Sequence, residues 1–179
     1  MTEDLISVSE VNSETAVWNI FMDGFFKRKA EQQMLSDDMS QDAVDTIFSN
    51  AVRILSHCPN PKAGKDVAET GIVIGKVQSG KTSNFISVLA LAFDNGYDIA
   101  IVLGGNTLDL LKQNASRIES AFNVDSEKLT VLKTNDNKSL INSARIKEFL
   151  ENGRKTIVVG LKHYKHIDKI AEIFDNEYL

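Results

Sequence analysis

Apolar residues in the first third of the chain recur at intervals of three and four positions, the spacing that places them on one face of an α-helix. Two such sets are present: Val17, Ile20, Phe21, Gly24 and Phe25, followed by Val44, Ile47, Phe48, Ala51, Val52 and Leu55. Pro59 and Pro61, the two prolines of the chain, come after the second set and disfavour further helix. We therefore predict that residues 1–58 are helical and that residues 58–64 form a linker.

A different pattern begins at Glu69, where short runs of strand-favouring residues alternate with longer runs of helical spacing. Each predicted strand is followed by a predicted helix: strands over 71–74, 98–103, 129–132 and 156–159, and helices over 83–93, 108–122, 139–150 and 164–174. This alternation predicts right-handed crossovers and a parallel sheet with helices on both faces, in which residues 71–74 are a buried strand. The expected organisation is a helical extension over residues 1–60 and an α/β domain over residues 66–179.

Particular residues mark the expected ends of these helices. Gly96 is well placed to end one helix in the left-handed conformation, and the pair Asn152-Gly153 ends another. Asn106 or Thr107 is the expected N-terminal cap of the helix over 108–122, because both side chains carry an oxygen that accepts a backbone hydrogen bond.

Composition narrows the class of protein. The chain has 179 residues, of which 42% are hydrophobic and 25% charged, enough for one well-buried core. Its apolar runs are far shorter than the roughly 18 residues that span a membrane, and its one cysteine, Cys58, cannot form an internal disulfide. We expect a cytoplasmic protein without a membrane partner, and the net charge of −5 gives no bulk attraction to nucleic acid.

The strongest motif stands between the first predicted strand after Glu69 and the helix that follows it. It has the pattern of a P-loop: Gly75, Lys76, Val77, Gln78, Ser79, Gly80, Lys81 and Thr82. Glycines at both ends let the backbone wrap closely, so that successive N–H groups can point at a phosphate, and the helix adds the positive end of its dipole. The motif predicts a site for a nucleoside triphosphate.

Two side chains of this motif are the predicted catalytic residues. Lys81 can reach the β- and γ-phosphates as a point charge, and the Thr82 hydroxyl is placed to bind Mg²⁺. The alternative is a glycine-rich turn without a ligand. The strand before the motif and the helix after it favour the phosphate site, and with it a P-loop NTPase sheet of the RecA-like kind.

A second group of candidates follows the strand over 98–103, at the carboxyl end where open parallel sheets place their ligands. Asn106 and Thr107 lie in this turn, and Gln113 and Arg117 share one face of the next helix. They predict a contact with a nucleic-acid backbone, in which Arg117 binds a phosphate. The alternatives are a tight turn with a helix cap and a solvated helix surface.

A basic turn follows the last predicted strand. Lys162 and Lys165 stand beside His163 and His166, which are three residues apart. Lys162 is a further candidate for contact with nucleic acid, and plain solvated surface is the alternative. Histidines at this spacing can share a metal, but no cysteine or carboxylate group completes a tetrahedral set, so a metal site is not predicted.

The acid that hydrolysis usually requires, at the end of a second apolar strand, is missing from the pattern. The predicted strands end in Gly104, Thr134 and Gly160, and Asp136 is the nearest carboxylate to such a position. We therefore expect weak or absent hydrolysis by this chain.

Three segments resemble one family, the endonuclease-like proteins defined by the Z-one domain, which are similar to superfamily-two helicases. Residues 72–82 resemble the P-loop of that family, residues 101–107 with Leu110, Gln113 and Arg117 resemble its second helicase motif, and residues 156–162 with His166 resemble the strand and turn that follow. The resemblance spans residues 70–175. It implies ATP with Mg²⁺ as the bound nucleotide, DNA as the partner through the parent protein, and a role in restriction or phage defence. The acidic box, a second helicase lobe and the nuclease-type region would follow downstream.

Two other functions are compatible with the sequence. One is a complete nucleotide-sensing or assembly module that binds without hydrolysing. The other is a P-loop kinase for a small molecule, for which Arg145 and Arg154 are the candidate lid arginines.

Overall fold

The computed structural model describes residues 18–63, 68–75, 80–122, 127–135 and 141–174, together with the backbone of residues 6–8. The chain forms two compact units, residues 1–97 and residues 98–179. The boundary between them falls after the helix that follows the P-loop. The predicted domains, 1–60 and 66–179, divide the chain earlier and stay a prediction.

The first unit is built around the helix that follows the P-loop. Its elements are β1 (Ile6–Val8), α1 (Phe25–Ser36), α2 (Gln41–Ser56), β2 (Val73–Gly75) and α3 (Lys81–Asp94). α3 packs against both α1 and α2, and the ring of Phe26 lies 5.3 Å from that of Phe93. The prediction of a second helix is confirmed, with Val44, Ile47, Phe48, Ala51 and Leu55 all buried. The two helices of the predicted N-terminal extension, α1 and α2, thus form one core with α3.

The first helix begins later than predicted. Residues 18–24 are not helical, and Phe21, which the spacing assigned to a helix, is exposed. The reason is a long-range contact: the Asp94 carboxylate accepts hydrogen bonds from the backbone N–H groups of Phe26, at 3.0 Å, and Lys27, at 2.8 Å. A carboxylate from α3 therefore fixes where α1 starts.

The strand before the P-loop is paired differently from the prediction. β2 runs antiparallel to β1 in a two-stranded sheet, with Ile6 opposite Gly75 and Val8 opposite Val73. The prediction of helix throughout residues 1–58 is therefore wrong at Ile6–Val8. The expectation of a buried strand over residues 71–74 is also wrong, since Ile72 and Ile74 are 61% and 60% exposed. Strand-favouring composition identified β2, but it carries no information about the pairing partner.

The second unit contains the parallel sheet. Its strands are β3 (Ile99–Leu103), β4 (Leu129–Lys133) and β5 (Lys155–Gly160), in the order β3-β5-β4. Both pairings are parallel, with Ile101 opposite Val158 on one side of β5 and Val131 opposite Ile157 on the other. Three of the four predicted strands thus form the expected kind of sheet, and the fold is α/β.

Helices cover this sheet: α4 (Leu108–Phe122), α5 (Ser143–Glu151) and α6 (Tyr164–Phe174). Right-handed connections with this strand order place α4 and α5 on opposite faces. One face holds a cluster of buried side chains from strands, helices and the turn before α5: Leu132, Ile141, Ile146, Phe149, Val158, Ile170 and Ile173. Among the described residues, no helix has both the length and the apolar character needed to cross a membrane.

The predicted helix ends are confirmed. After α3, Gly96 has a φ of 111° and its N–H bonds to Phe93 O, while Tyr97 N–H bonds to Ala92 O at 3.0 Å. This pair of bonds satisfies the last carbonyl groups of the helix and requires the left-handed residue that glycine provides. Gly153 ends α5 in the same way. Of the two proposed caps of α4, Thr107 is the one whose hydroxyl accepts a hydrogen bond, from Leu110 N–H.

Candidate functional site

The P-loop motif lies between a strand and a helix, as the sequence predicts. β2 ends at Gly75, and α3 begins at Lys81. The four apical positions, Lys76, Val77, Gln78 and Ser79, lie outside the described residues. The structure therefore describes both ends of the motif, including Gly80, Lys81 and Thr82.

Gly80 holds the turn into the helix. It adopts φ 70° and ψ 25°, in the left-handed region, and the right-handed helix begins at the next residue. A residue with a Cβ atom would lose roughly 1–2 kcal/mol in this conformation. Among the described residues, the only atom that a Cβ atom at Gly80 would meet is Asn84 Nδ2, at 4.0 Å. The backbone conformation therefore favours glycine at this position. When a residue with left-handed backbone angles stands next to one with right-handed angles, their N–H groups point into a common concavity that suits an anion.

The N-terminus of α3 also differs from those of four other helices. A side-chain oxygen accepts a backbone hydrogen bond near the N-termini of four other helices: Asp94 at α1, Ser40 at α2, Thr107 at α4 and Asn142 at α5. Gly80 has no side chain that could do this, and the first turn of α3 contains no acidic residue. The N-terminal end of a helix dipole attracts negative charge, and at α3 no carboxylate from the first turn supplies it.

The two predicted catalytic residues occupy the first turn of α3. Lys81 is exposed, so its ammonium group is free to approach a ligand from solvent. Thr82 is half-buried at the next position. Placed at a helix N-terminus, a lysine and a threonine supply the positive charge and the hydroxyl oxygen that a phosphate–Mg²⁺ group requires.

One residue at this site was missed in the sequence analysis. Asn84 lies one turn into α3 and is only 6% exposed. Its backbone N–H and its side-chain Nδ2 both donate to Gly80 O, at 3.0 Å and 3.1 Å. The signal in the sequence was a polar residue within a helix whose other residues are mostly apolar.

The loops after two strands of the parallel sheet meet at its carboxyl edge. Gly104 N–H donates to Gly160 O at 3.0 Å, and Lys162 N–H donates to Gly105 O at 2.8 Å. These bonds bring the backbone of Lys162 beside the turn that carries Asn106 and Thr107, and all three side chains are exposed. Three of the five nucleic-acid candidates therefore lie at one edge.

The other two candidates lie further along α4. At a rise of 1.5 Å per residue, Gln113 and Arg117 stand about 9 Å and about 15 Å from Thr107 along the helix axis. Both are exposed on α4. The structure thus separates Arg117 from the edge that carries Lys162.

The paired histidines have a structural explanation. His166 Nδ1 shares a hydrogen bond with the Thr134 hydroxyl, and Lys169 Nζ donates to Thr134 O at 2.8 Å, so the start of α6 is tied to the end of β4. Burial lowers the pKa of His166 below its ordinary value, and the neighbouring His163 and Lys169 add to this shift. Among the described residues, no three histidine, cysteine, aspartate or glutamate side chains lie close enough together to hold a metal ion.

No acidic residue directly follows any strand of the parallel sheet. The residues after β3, β4 and β5 are Gly104, Thr134 and Leu161. Asp136, the nearest carboxylate in the sequence analysis, lies outside the described residues.

Comparisons with known proteins do not assign the chain to a family. No protein-family model matches it, and searches of curated proteins and of solved structures found no match.

Proposed function

We propose that this chain binds the phosphates of a nucleoside triphosphate, together with Mg²⁺, at residues 75–82. The observation that carries the proposal is the left-handed Gly80 between a strand and a helix that starts with Lys81 and Thr82 and has no acidic residue in its first turn. Backbone amides of this segment would surround the β-phosphate, Lys81 would neutralise charge, and Thr82 would supply a ligand to the metal. Bound Mg²⁺ would offset the charge of the phosphate oxygens.

The wider role in this proposal depends on the resemblance to the Z-one-domain family. On that basis the nucleotide is ATP, and the chain is the amino-terminal part of a RecA-like motor lobe that acts on DNA in the cytoplasm, in a restriction or phage-defence protein. The exposed Asn106, Thr107 and Lys162 at one edge of the sheet support a contact with a nucleic-acid backbone. Gln113 and Arg117, which lie further along α4, would contact the same nucleic-acid strand.

A second function, nucleotide sensing without turnover, is favoured by one observation: no strand of the parallel sheet is followed by an acid. A sensor would bind ATP and release it unchanged. An assay of phosphate release, with and without single-stranded DNA, separates the two. Release that rises with DNA supports the motor, whereas tight binding with no release under either condition supports the sensor.

Binding itself is tested with Lys81→Ala. Isothermal titration with ATP and Mg²⁺ should show an affinity loss of about tenfold to a hundredfold, since a hydrogen bond to a charged group contributes about 1.5–3 kcal/mol. Lys112→Ala is the matched control, because Lys112 is an exposed lysine on α4 outside the motif. Equal affinity in Lys81→Ala and the wild-type protein would refute the proposal.

A further inference from the structure

Asn84 makes an unusual set of contacts at the junction of the P-loop motif and α3. Both of its N–H donors, in the backbone and in the side chain, bind the same acceptor, Gly80 O. The backbone bond is the ordinary first bond of the helix, but the side-chain bond is an addition. Because Gly80 is the residue with the left-handed backbone, this second bond restrains the peptide group that turns the chain into α3.

The other half of the Asn84 amide has no such partner. Its Oδ1 atom is buried and accepts no hydrogen bond from the residues that the structure describes. A buried polar atom without a partner destabilises the folded state, so nearly all such atoms in proteins are paired. An unpaired buried atom calls for an explanation, and a role at a binding or catalytic site is one of them.

We propose that Asn84 is a positioning residue of the nucleotide site. Its Nδ2 group holds Gly80 in the conformation that presents the first amides of α3, and its Oδ1 atom would accept a hydrogen bond from a water molecule that the bound Mg²⁺ retains. This inference rests on the proposed function and assigns to it a residue outside the P-loop pattern.

The position of Asn84 on α3 supports this role. Asn84 is buried on the same side of the helix as Ser87, which lies one turn further on. Both side chains are polar, whereas the other buried residues of α3 are apolar and include Ile86, Ala90 and Leu91. Ser87 Oγ is likewise buried without a partner among the described residues, yet it makes no bond to Gly80. Ser87 therefore serves as a control: the same kind of buried polar atom, on the same helix, away from the turn.

The test compares Asn84→Ala and Asn84→Leu with Ser87→Ala in the full chain. Leucine fills the space of asparagine with apolar atoms and removes both hydrogen-bonding groups together. Affinity for ATP with Mg²⁺ should fall about tenfold in both Asn84 variants, the factor that corresponds to one lost hydrogen bond. The thermal midpoint of the Leu variant without ligand should shift by less than about 3 °C, and Ser87→Ala should keep wild-type affinity.

Inorganic triphosphate tests whether the loss of affinity lies at the phosphate end of the nucleotide. Because Asn84 acts on the phosphate end, its substitution should weaken the binding of inorganic triphosphate with Mg²⁺ by the same factor as that of ATP. Wild-type affinity in Asn84→Leu would overturn the inference. So would an equal loss in Ser87→Ala, or unfolding of both Asn84 variants with unchanged affinity of the folded fraction. If the wild-type protein binds neither ligand, the proposed function itself has failed.

Discussion

The two ends of α3 are built in opposite ways. At its C-terminal end, Asn95 and Asp94 bind the backbone of the segment before α1 and of its first turn, and Gly96 closes the last turn. At its N-terminal end, Gly80 offers no capping side chain, and Asn84 keeps a buried oxygen without a partner among the described residues. One helix therefore has an end whose backbone groups bind other parts of the fold and an end where Asn84 Oδ1 has no partner in the described part of the chain.

This difference indicates what each end is for. Backbone polar groups that are tied within the fold contribute to stability, and their loss is measured in the free energy of unfolding. Backbone N–H groups at a helix N-terminus that have no partner within the fold can bind a ligand, and their loss is measured as a loss of affinity. Substitutions at Asp94 and Asn95 should thus change stability, and substitutions at Lys81 and Asn84 should change affinity.

The largest effect on stability is expected for Asn95→Ala. Asn95 is 2% exposed, and its amide accepts from Phe21 N–H at 2.7 Å and donates to Phe21 O at 3.0 Å and to Leu91 O at 2.8 Å. Its removal breaks three hydrogen bonds and leaves backbone groups unpaired, which should lower the free energy of unfolding in urea by about 3 kcal/mol.

Asn152→Ala is the matched control for this substitution. Asn152 stands at the same position after α5 and donates to Glu148 O at 2.8 Å, but it is exposed and has no bond comparable to those with Phe21. It should lower the free energy of unfolding by less than about 1 kcal/mol. Equal effects of the two substitutions would show that the bonds to Phe21 add nothing.

A smaller effect is expected for Gly24→Ala. A Cβ atom at this position would lie 1.9 Å from Asp94 Cγ, and Asp94 cannot move away without losing its bonds to the first turn of α1. The substitution should lower the free energy of unfolding by about 2 kcal/mol, as overpacking does. Gly71→Ala, whose added Cβ lies more than 4 Å from every described neighbour, should leave stability almost unchanged. A tolerated Gly24→Ala would mean that the Asp94 contact is not tight.

Local rules predicted much of this molecule. The spacing of apolar residues identified α2, short runs of strand-favouring residues identified the three parallel strands, and glycine chemistry identified the ends of α3 and α5. Each of these depends on interactions within a few residues, so the sequence alone contains the necessary information. The strand and helix around the P-loop motif follow from the same local patterns.

Long-range contacts account for what the sequence did not predict. α1 begins at Phe25 because a carboxylate on α3 caps it, and β2 lies exposed beside β1, a strand assigned to helix in the sequence analysis. The role of Asn84 likewise depends on its bond to Gly80 and on an oxygen atom that has no partner among the described residues. Capping partners, strand pairs and unsatisfied atoms are properties of the fold, and no periodicity encodes them.

The smallest effect concerns the ionisation of Asp94. Burial raises its pKa above the ordinary value, although the amides of Lys27 and Phe26 and the charge of Arg28 act in the opposite direction. The folded protein therefore binds this proton more tightly than the unfolded chain, so the contribution of Asp94 to stability is complete below the unfolded pKa and declines as pH rises through the folded pKa. In urea unfolding across this acidic range, the stability of the wild-type protein relative to Asp94→Asn should fall as pH rises and then become constant. If the difference instead grew with pH, the amide hydrogen bonds would outweigh burial, and the C-terminal end of α3 would favour a charged Asp94.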